Sequence, residues 1–545
     1  MNSSNPRDRL DSWKEIAAYL RRDVRTVQRW EKKEGLPVHR HQHDKLGSIY
    51  AFRAELTEWF SSRQQTGPPA VAGRIKLAVL PFHNLGDRPE KDYFSDGLTE
   101  EMSTQITRLQ PEALAVIASS TAEHYESTPG SLEKLRKELG VDYALEGKVR
   151  ASGNRVRITA RLTEVEDQTQ LWAETYERDL SDVLGVQAEI AQSVAREIHL
   201  ALKLSESKRL SGMKEGQIRV KPAAYDVYLK ARYHLHAMSP GALRQALEDF
   251  ERAVELDGGY PPAQAGLATA WALLAIAPFD LVPPKEAMPK AEAAARKALE
   301  LDEELAEAHA ALALVHHHYS WDWKKAEAEY QRAIALNPNY AAAHLWYSWL
   351  LLALSRREEA LGEIETTMAI VQETDPHRLV AVHATRAQAY YFGREFERAV
   401  EECEKALQLD PSHFMLHYIL GRAYRRLGKG TKAIAQFKAA QKSSGELPLV
   451  DAVLGLAYAV SGRKEQTQQL IDTFKAASRK RYVPPTYFAI LYAGFGDKDQ
   501  TLAWLEKGFQ ERADLLTWLN VEPMMDDVRS DPRFQNLIRR IGLVQ

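Results

Sequence analysis

The feature that most constrains this chain is a spacing. Aligned on a small residue, a large residue four positions on and a second small residue three further, the first small position falls at Ala246, Ala291, Ala326, Ala360, Ala399, Ala433, Thr467 and Thr501. Successive positions differ by 45, 35, 34, 39, 34, 34 and 34. A recurring period of that length marks a structural repeat whose units must stack on one another to bury a continuous core. Ala295 stands where a large residue belongs and Phe474 where a small one does. The wider intervals mark insertions, notably the proline-bearing stretch 278–289.

Gly421-x2-Tyr424 and Gly455-x2-Tyr458 repeat a Gly/Tyr spacing, Ala387-x2-Tyr390 and Ala489-x2-Tyr492 echo it, and Pro338 and Pro411 end second helices. With the period, these residues resemble tetratricopeptide repeats, about eight of them over 221–545. The resemblance implies a superhelix whose concave groove takes an unidentified protein or peptide. Phe534, Leu537, Ile538 and Ile541 lie at helical spacing and read as a cap on the open end of the stack. Cys403 holds a large-residue position and should pack. Of His316, His317 and His318 one should pack while the others are solvated, and no metal is expected there.

A chain of 545 residues is too long for one core and divides into several. The formal net charge of -3 hides an asymmetry: residues 1–66 carry 13 Lys+Arg against 9 Asp+Glu, or +4, leaving -7 for the remainder. A single cysteine forms no internal disulfide and fits a reducing compartment. The N-terminus MNSSNPRDRLDSW lacks the apolar run of a signal peptide. The two most apolar windows, 263–282 and 341–354, are interrupted or too short for a membrane span and read as buried helices. A cytoplasmic protein without membrane contact is expected.

The basic N-terminus has its own pattern. Ser12-Trp-Lys-Glu15 is a capping box opening a helix that packs through Ile16, Ala17 and Leu20. Asp23 and Gly35 can start and stop a second helix with Val24, Val27 and Trp30 on one side and Arg25, Gln28, Arg29 and Lys32 on the other. Residues 38–52 can form two strands about a turn near Asp44–Gly47, and 54–60 a closing helix. WKEIAAYLRRDVRTVQRWEKKEGLPVHRH resembles the winged helix-turn-helix modules related to the excisionase and MerR groups. Carried over by position, Arg25, Thr26, Gln28, Arg29 and Lys32 would meet double-stranded DNA from the recognition helix, and Arg40, His41 and Lys45 from the wing. Arg21 departs from the glycine common in such turns. His39, His41 and His43 alternate without a fourth ligand, so they are read as facing phosphates rather than a metal.

Thr66–Gly73 reads as a hinge. Beyond it, IKLAVLPF predicts a buried strand, 94–109 a helix, 113–118 a second strand, 143–151 and 155–163 a hairpin, 169–177 another strand, and 182–204 a helix packing through Val183, Val186, Ile190, Val194 and Ile198. AVLPF, YFSDGLTEE, LGVDYALEGKVR, RVRITARL and LWAETYERDL resemble the TolB-like domain of bacterial regulators, which implies a mixed α/β fold without established catalytic residues. Ser95 or Asp96 is read as a helix cap.

The expected architecture is multidomain: a winged helix-turn-helix at 1–66, a linker at 67–74, an α/β TolB-like domain at 75–205, a linker at 206–220 and an all-α tetratricopeptide superhelix at 221–545. Gly428-Lys-Gly-Thr431 lacks phosphate-loop spacing, and no zinc-protease, esterase or kinase motif occurs, so no catalytic residue, cofactor or metal is expected. Tetratricopeptide and TolB-like segments also occur joined to class III adenylate cyclase domains, for which no stretch of this sequence is left over. The function this implies is a DNA-binding transcriptional regulator whose array serves as sensor or partner platform. One small module binds DNA weakly, so a homodimer is a further expectation. The alternative is a non-enzymatic scaffold or adaptor for assembling protein complexes.

Overall fold

The structure is a computed structural model that describes residues 9–10, 12–19, 27, 36–40, 49–53, 56, 75–85, 98–99, 101–103, 105–107, 114–117, 131–152, 155–179, 182, 186–187, 189–191, 193–194, 197, 220–374, 378–445 and 447–543. It splits into two compact units, 1–74 and 75–545. In the first, the helix Trp13–Tyr19 starts as its sequence dictates, with the Ser12 hydroxyl accepting from the Glu15 amide at 3.2 Å. Strand β3 (Ile49–Phe52) lies antiparallel between β1 (Arg9–Leu10) and β2 (His39–Arg40). Ile16, Val27, Leu36, Ile49, Ala51 and Leu56 close a small core over this sheet. Ala17 is placed in this helix by its backbone alone, and Leu20, Arg21, Val24, Trp30 and the turn at 44–47 lie outside the described residues.

The second unit begins with a sheet of order β6-β4-β7-β8-β9, in which β5 (His83–Asn84) also pairs with β7. β4 (Ile75–Val79) runs parallel to both β6 (Leu114–Ile117) and β7 (Tyr143–Ser152), and Leu77, Ala78 and Val79 are buried, as a central parallel strand requires. β7, β8 (Arg155–Glu164) and β9 (Gln170–Asp179) continue antiparallel. Along β8, Val156, Ile158, Ala160 and Leu162 face the core while Arg155, Arg157 and Arg161 face water. The Phe82 ring crosses β7 at Gly147, where a Cβ would lie 2.1 Å from it. Helix Ser131–Leu139, which the sequence reading passed over, covers the parallel strands on one side through Leu135. Leu98, Met102 and Ile106, with Val186, Ile190 and Val194, pack on the other.

Eight helix pairs follow among the described residues: Pro222–His236 with Pro240–Leu256, Pro261–Ala275 with Pro284–Leu301, Ala306–Val315 with Trp323–Leu336, Ala341–Ala353 with Arg357–Thr374, Leu379–Phe392 with Phe396–Ala406, Phe414–Arg426 with Gly430–Ser443, Pro448–Val460 with Lys464–Ala477, and Pro485–Phe495 with Lys498–Glu511. They are called units one to eight. Every small position of the sequence alignment is buried on a second helix, from Ala246 to Thr501. The two irregular positions, Ala295 and Phe474, are buried as well. At Gly421 a Cβ would stand 2.6 Å from the Phe437 ring, so glycine is what lets these helices close. Proline at the first turn and the caps Ser239, Asp322 and Asp497 fix where helices begin.

Unit one packs directly on the sheet domain, while 206–219 of the expected linker lie outside the described residues. Tyr225 and Tyr228 of its first helix share one core with Leu98, Met102 and Val186, and Arg232 Nη1 donates to Glu101 at 2.7 Å, with Glu101 only 3% exposed. A buried ion pair of this kind fixes register between the two parts.

Candidate interaction surfaces of the head and the repeat groove

Seven of the eight residues expected to touch DNA, Arg25, Thr26, Gln28, Arg29, Lys32, His41 and Lys45, lie outside the described residues; Arg40 is placed in β2 by its backbone alone. His39 is half-buried on the sheet. Its ring stacks on Tyr50 at 5.1 Å and meets the edge of Phe52 at 5.8 Å. His43, Ser95 and Asp96 are also outside the described residues.

The repeat groove is where the structure departs most from expectation. The segment after unit eight forms two 3₁₀ turns, Asp514–Trp518 and Pro523–Val528, and a helix, Pro532–Ile541. It covers the last unit as a cap would, through Arg540 on Glu506 at 2.7 and 2.9 Å. It then continues along the side onto which first helices face, touching units two to six and eight. Leu516, Leu519, Met525, Val528, Phe534, Leu537, Ile538 and Ile541 of this segment are buried in the same core as the repeats. The helix Pro532–Ile541 thus covers the last unit, and the stretch before it lines the first helices of units two to six.

Three carboxylates anchor the lining. Asp514 accepts from the Ala277 amide at 3.0 Å and bonds His318 Nδ1 at 2.6 Å. Glu522 receives Arg422, itself 2% exposed, and the Tyr391 hydroxyl at 3.1 Å. Asp526 holds Arg394 in a fork at 2.6 and 2.8 Å, with Arg426 at 3.0 Å and Arg529 at 3.2 Å. Burial alone would raise the Asp526 carboxyl, but these guanidinium groups bring it below the usual range. Between the anchors, Trp518 stacks on Phe392 at 5.3 Å, and the Arg422 guanidinium lies 4.0 Å from the Tyr391 ring and 4.9 Å from Tyr418. Near Asp514, burial and the neighbouring carboxylate push Asp280 up to about 8.

His316, His317 and His318 are all buried, against the expectation that two would be solvated. A π-helical turn, His316–Ser320, widens the backbone at this point. Burial, with His318 alongside, drives His317 well below its ordinary value, which leaves it neutral. Cys403 is buried as expected, and burial raises its thiol far above the reactive range.

The turn between the two helices of each unit adds a second pattern. In units six, seven and eight it uses glycine in the left-handed region, Gly428, Gly462 and Gly496, at φ 71, 80 and 73°. Units three, four and five put Trp321, Ser355 and Arg394 there, at φ 57, 61 and 63°. Each of those side chains holds the segment or its start: the Arg512 guanidinium lies 4.2 Å from the Trp321 ring, Asn520 donates to Ser355 at 3.1 Å, and Arg394 grips Asp526. A left-handed backbone with a side chain costs about 1 kcal/mol per residue; units one and two carry it as well, at Met238 and Asp280 with φ 43 and 45°, and Met238 is exposed.

A histidine ladder escaped the sequence reading. His309 and His344 bond Glu329 and Glu363 through Nδ1 at 2.6 Å, His383 bonds Glu402, and His417 bonds Gln436 at 2.7 Å. The opposite nitrogen of His309, His344 and His417 donates to a backbone carbonyl, of Glu303, Pro338 and Pro411. The signal was in the sequence: the positions of these histidines differ by 35, 39 and 34, close to the intervals of the small positions.

With this geometry in place, comparison with known proteins decides what the sheet part resembles. Residues 73–193 match the second domain of HilA/YgeH-like transcriptional regulators. Residues 322–382 and 385–448 match tetratricopeptide repeats. The chain is 24% identical over 345 residues to the transcriptional regulator HilA of Salmonella typhimurium, covering 63% of this chain and 57% of that protein. It is 31% identical over 263 residues to the Rhizobium meliloti protein named "Putative adenylate cyclase 3", covering 48% of this chain and 43% of that one. The chain therefore spans about half the length of these relatives. A tetratricopeptide repeat protein of Parabacteroides merdae aligns over 50% of this chain and 98% of its own at 16% identity and TM-score 0.35. No described helix is long and apolar enough to cross a membrane.

Proposed function

We propose that this protein is a cytoplasmic, non-enzymatic transcriptional regulator that docks on double-stranded DNA through a winged helix-turn-helix at 1–66. The sheet domain, TolB-like by its motifs, joins this head to the array and transmits the array's partner state. The observation that carries the reading is the match of 73–193 to the HilA/YgeH-like regulator domain, in a chain whose N-terminal unit has a capped helix beside a three-stranded sheet. The local charge of +4 over residues 1–66 supports the same assignment. Specific binding requires two heads, so the working species on DNA is a homodimer on two half-sites.

The test is titration of the full chain against DNA fragments selected from the source genome, at several salt concentrations. Arg29→Ala is expected to relax sequence preference, and Lys45→Ala to flatten the salt slope by about one unit. If both variants bind as the parent does, the assignment of these residues fails.

A further inference from the structure

Around Glu522 and Asp526 the groove gathers arginines. Arg422, Arg425 and Arg426 fall on one turn of the first helix of unit six, and Arg394 precedes the second helix of unit five. Against them the C-terminal segment sets Glu522 and Asp526. Arg422 Nε, Arg425 Nε and Nη2, and Arg426 Nε are buried with no hydrogen-bond partner among the described residues. Arg422 is itself 2% exposed, so a donor aimed into a dry site is left unmatched. Ser355 and Arg394, which hold the segment, stand at left-handed positions where units six to eight use glycine.

We propose that the groove is a receptor for an acidic peptide segment of a partner protein, and that Asp514–Val528 is its built-in competitor. The peptide recognised carries an aromatic residue for the Phe392 platform, where Trp518 now sits, and then carboxylates at the Glu522 and Asp526 positions with at least one more for Arg425. In cis the segment competes at a high effective concentration because it is joined to unit eight through Arg512 and Ala513 alone. A partner gains access by satisfying the donors that the segment leaves unmatched. This deepens the reading of the array as a partner platform and rests on it.

The experiment uses the full chain and a fluorescent peptide copying residues 511–531. The probe is titrated into the parent and into the chain carrying Glu522→Gln with Asp526→Asn, whose own segment is less firmly anchored. The altered chain is expected to bind at least ~10-fold tighter than the parent, and a probe with its acidic residues changed to amides to lose at least ~10-fold on it. A folded altered chain that binds the acidic probe no better than the parent overturns the proposal. So does a folded altered chain that exchanges segments into a dimer without taking the probe. Equal binding of the acidic and amide probes overturns the acidic specificity while leaving a peptide-binding array, so the two readings fail separately. Should the altered chain not fold, hydrogen exchange on the parent decides: excess probe must accelerate exchange of amides 514–528, and unchanged exchange overturns the proposal.

Discussion

The eight helix pairs and the segment that follows them, 514–543, are held by opposite means. The pairs depend on a pattern repeated from unit to unit, in which a large residue such as Phe437 seats between small ones such as Ala433 and Ala440. Contacts of this kind run from each unit to the next, although the second helix of unit four also meets β6. The segment has no period and reaches six units at once through Asp514, Glu522 and Asp526 together with apolar residues between them. What the difference teaches is that a repeat array is modular only until something crosses it. Units far apart along the array become coupled through a shared ligand that the chain carries itself.

The sharpest way to break this contrast is at the Arg422–Glu522 pair. Glu522→Ala leaves a buried guanidinium without its carboxylate and should destabilise the chain by ~3–5 kcal/mol in chemical unfolding, with units five and six losing protection together. A loss confined to the segment would mean that it couples nothing. Gly421→Ala probes the local side, since its Cβ would meet the Phe437 ring and the change should cost ~1–3 kcal/mol with effects limited to unit six and its neighbours. The left-handed turn sharpens the comparison further. Arg394→Gly should weaken the parent, yet in an Asp526→Asn background, where the grip is already lost, it should be neutral or stabilise by about 1 kcal/mol.

The smallest expected effect is a pH dependence on the ladder. Burial lowers the proton affinity of His309, but the Glu329 carboxylate and the Glu303 carbonyl outweigh it and raise its pKa above 6.5. Its contribution is therefore complete below the unfolded value near ~6.5 and is lost as pH rises through the higher folded value. Unfolding of the parent and His309→Gln should differ by ~0.5–1 kcal/mol more at pH ~6 than at pH ~8, and an equal difference at both would remove the charged rung from the account.

Much of this fold was legible. The recurrence of small positions located each second helix, and the alternation in RVRITARLT marked the hairpin whose wet face carries Arg155, Arg157 and Arg161. The closed groove was written in the same letters. Helices such as Ala341–Ala353, apolar all round, cannot line an open groove, because a helix is uniformly apolar only when it is covered on every side. Trp321, Ser355 and Arg394 in place of turn glycines were a second sign. What the sequence could not supply was the identity of the cover, since a segment without a period pairs with its groove only through contacts far apart along the chain, such as Arg422 with Glu522. The candidate DNA contacts are a different case: their residue types and spacing were visible, and their geometry lies outside the described residues.

The most direct measurement of the cis-occupied groove is a crosslink between Ser355→Cys and Asn520→Cys, whose native side chains meet at 3.1 Å while Cys403 stays buried. Under mild oxidation the pair should close rapidly within a single chain, giving a monomer of altered mobility on non-reducing gels. Slow closure, or a bond formed only between chains, would contradict a groove filled by the chain's own C-terminal segment.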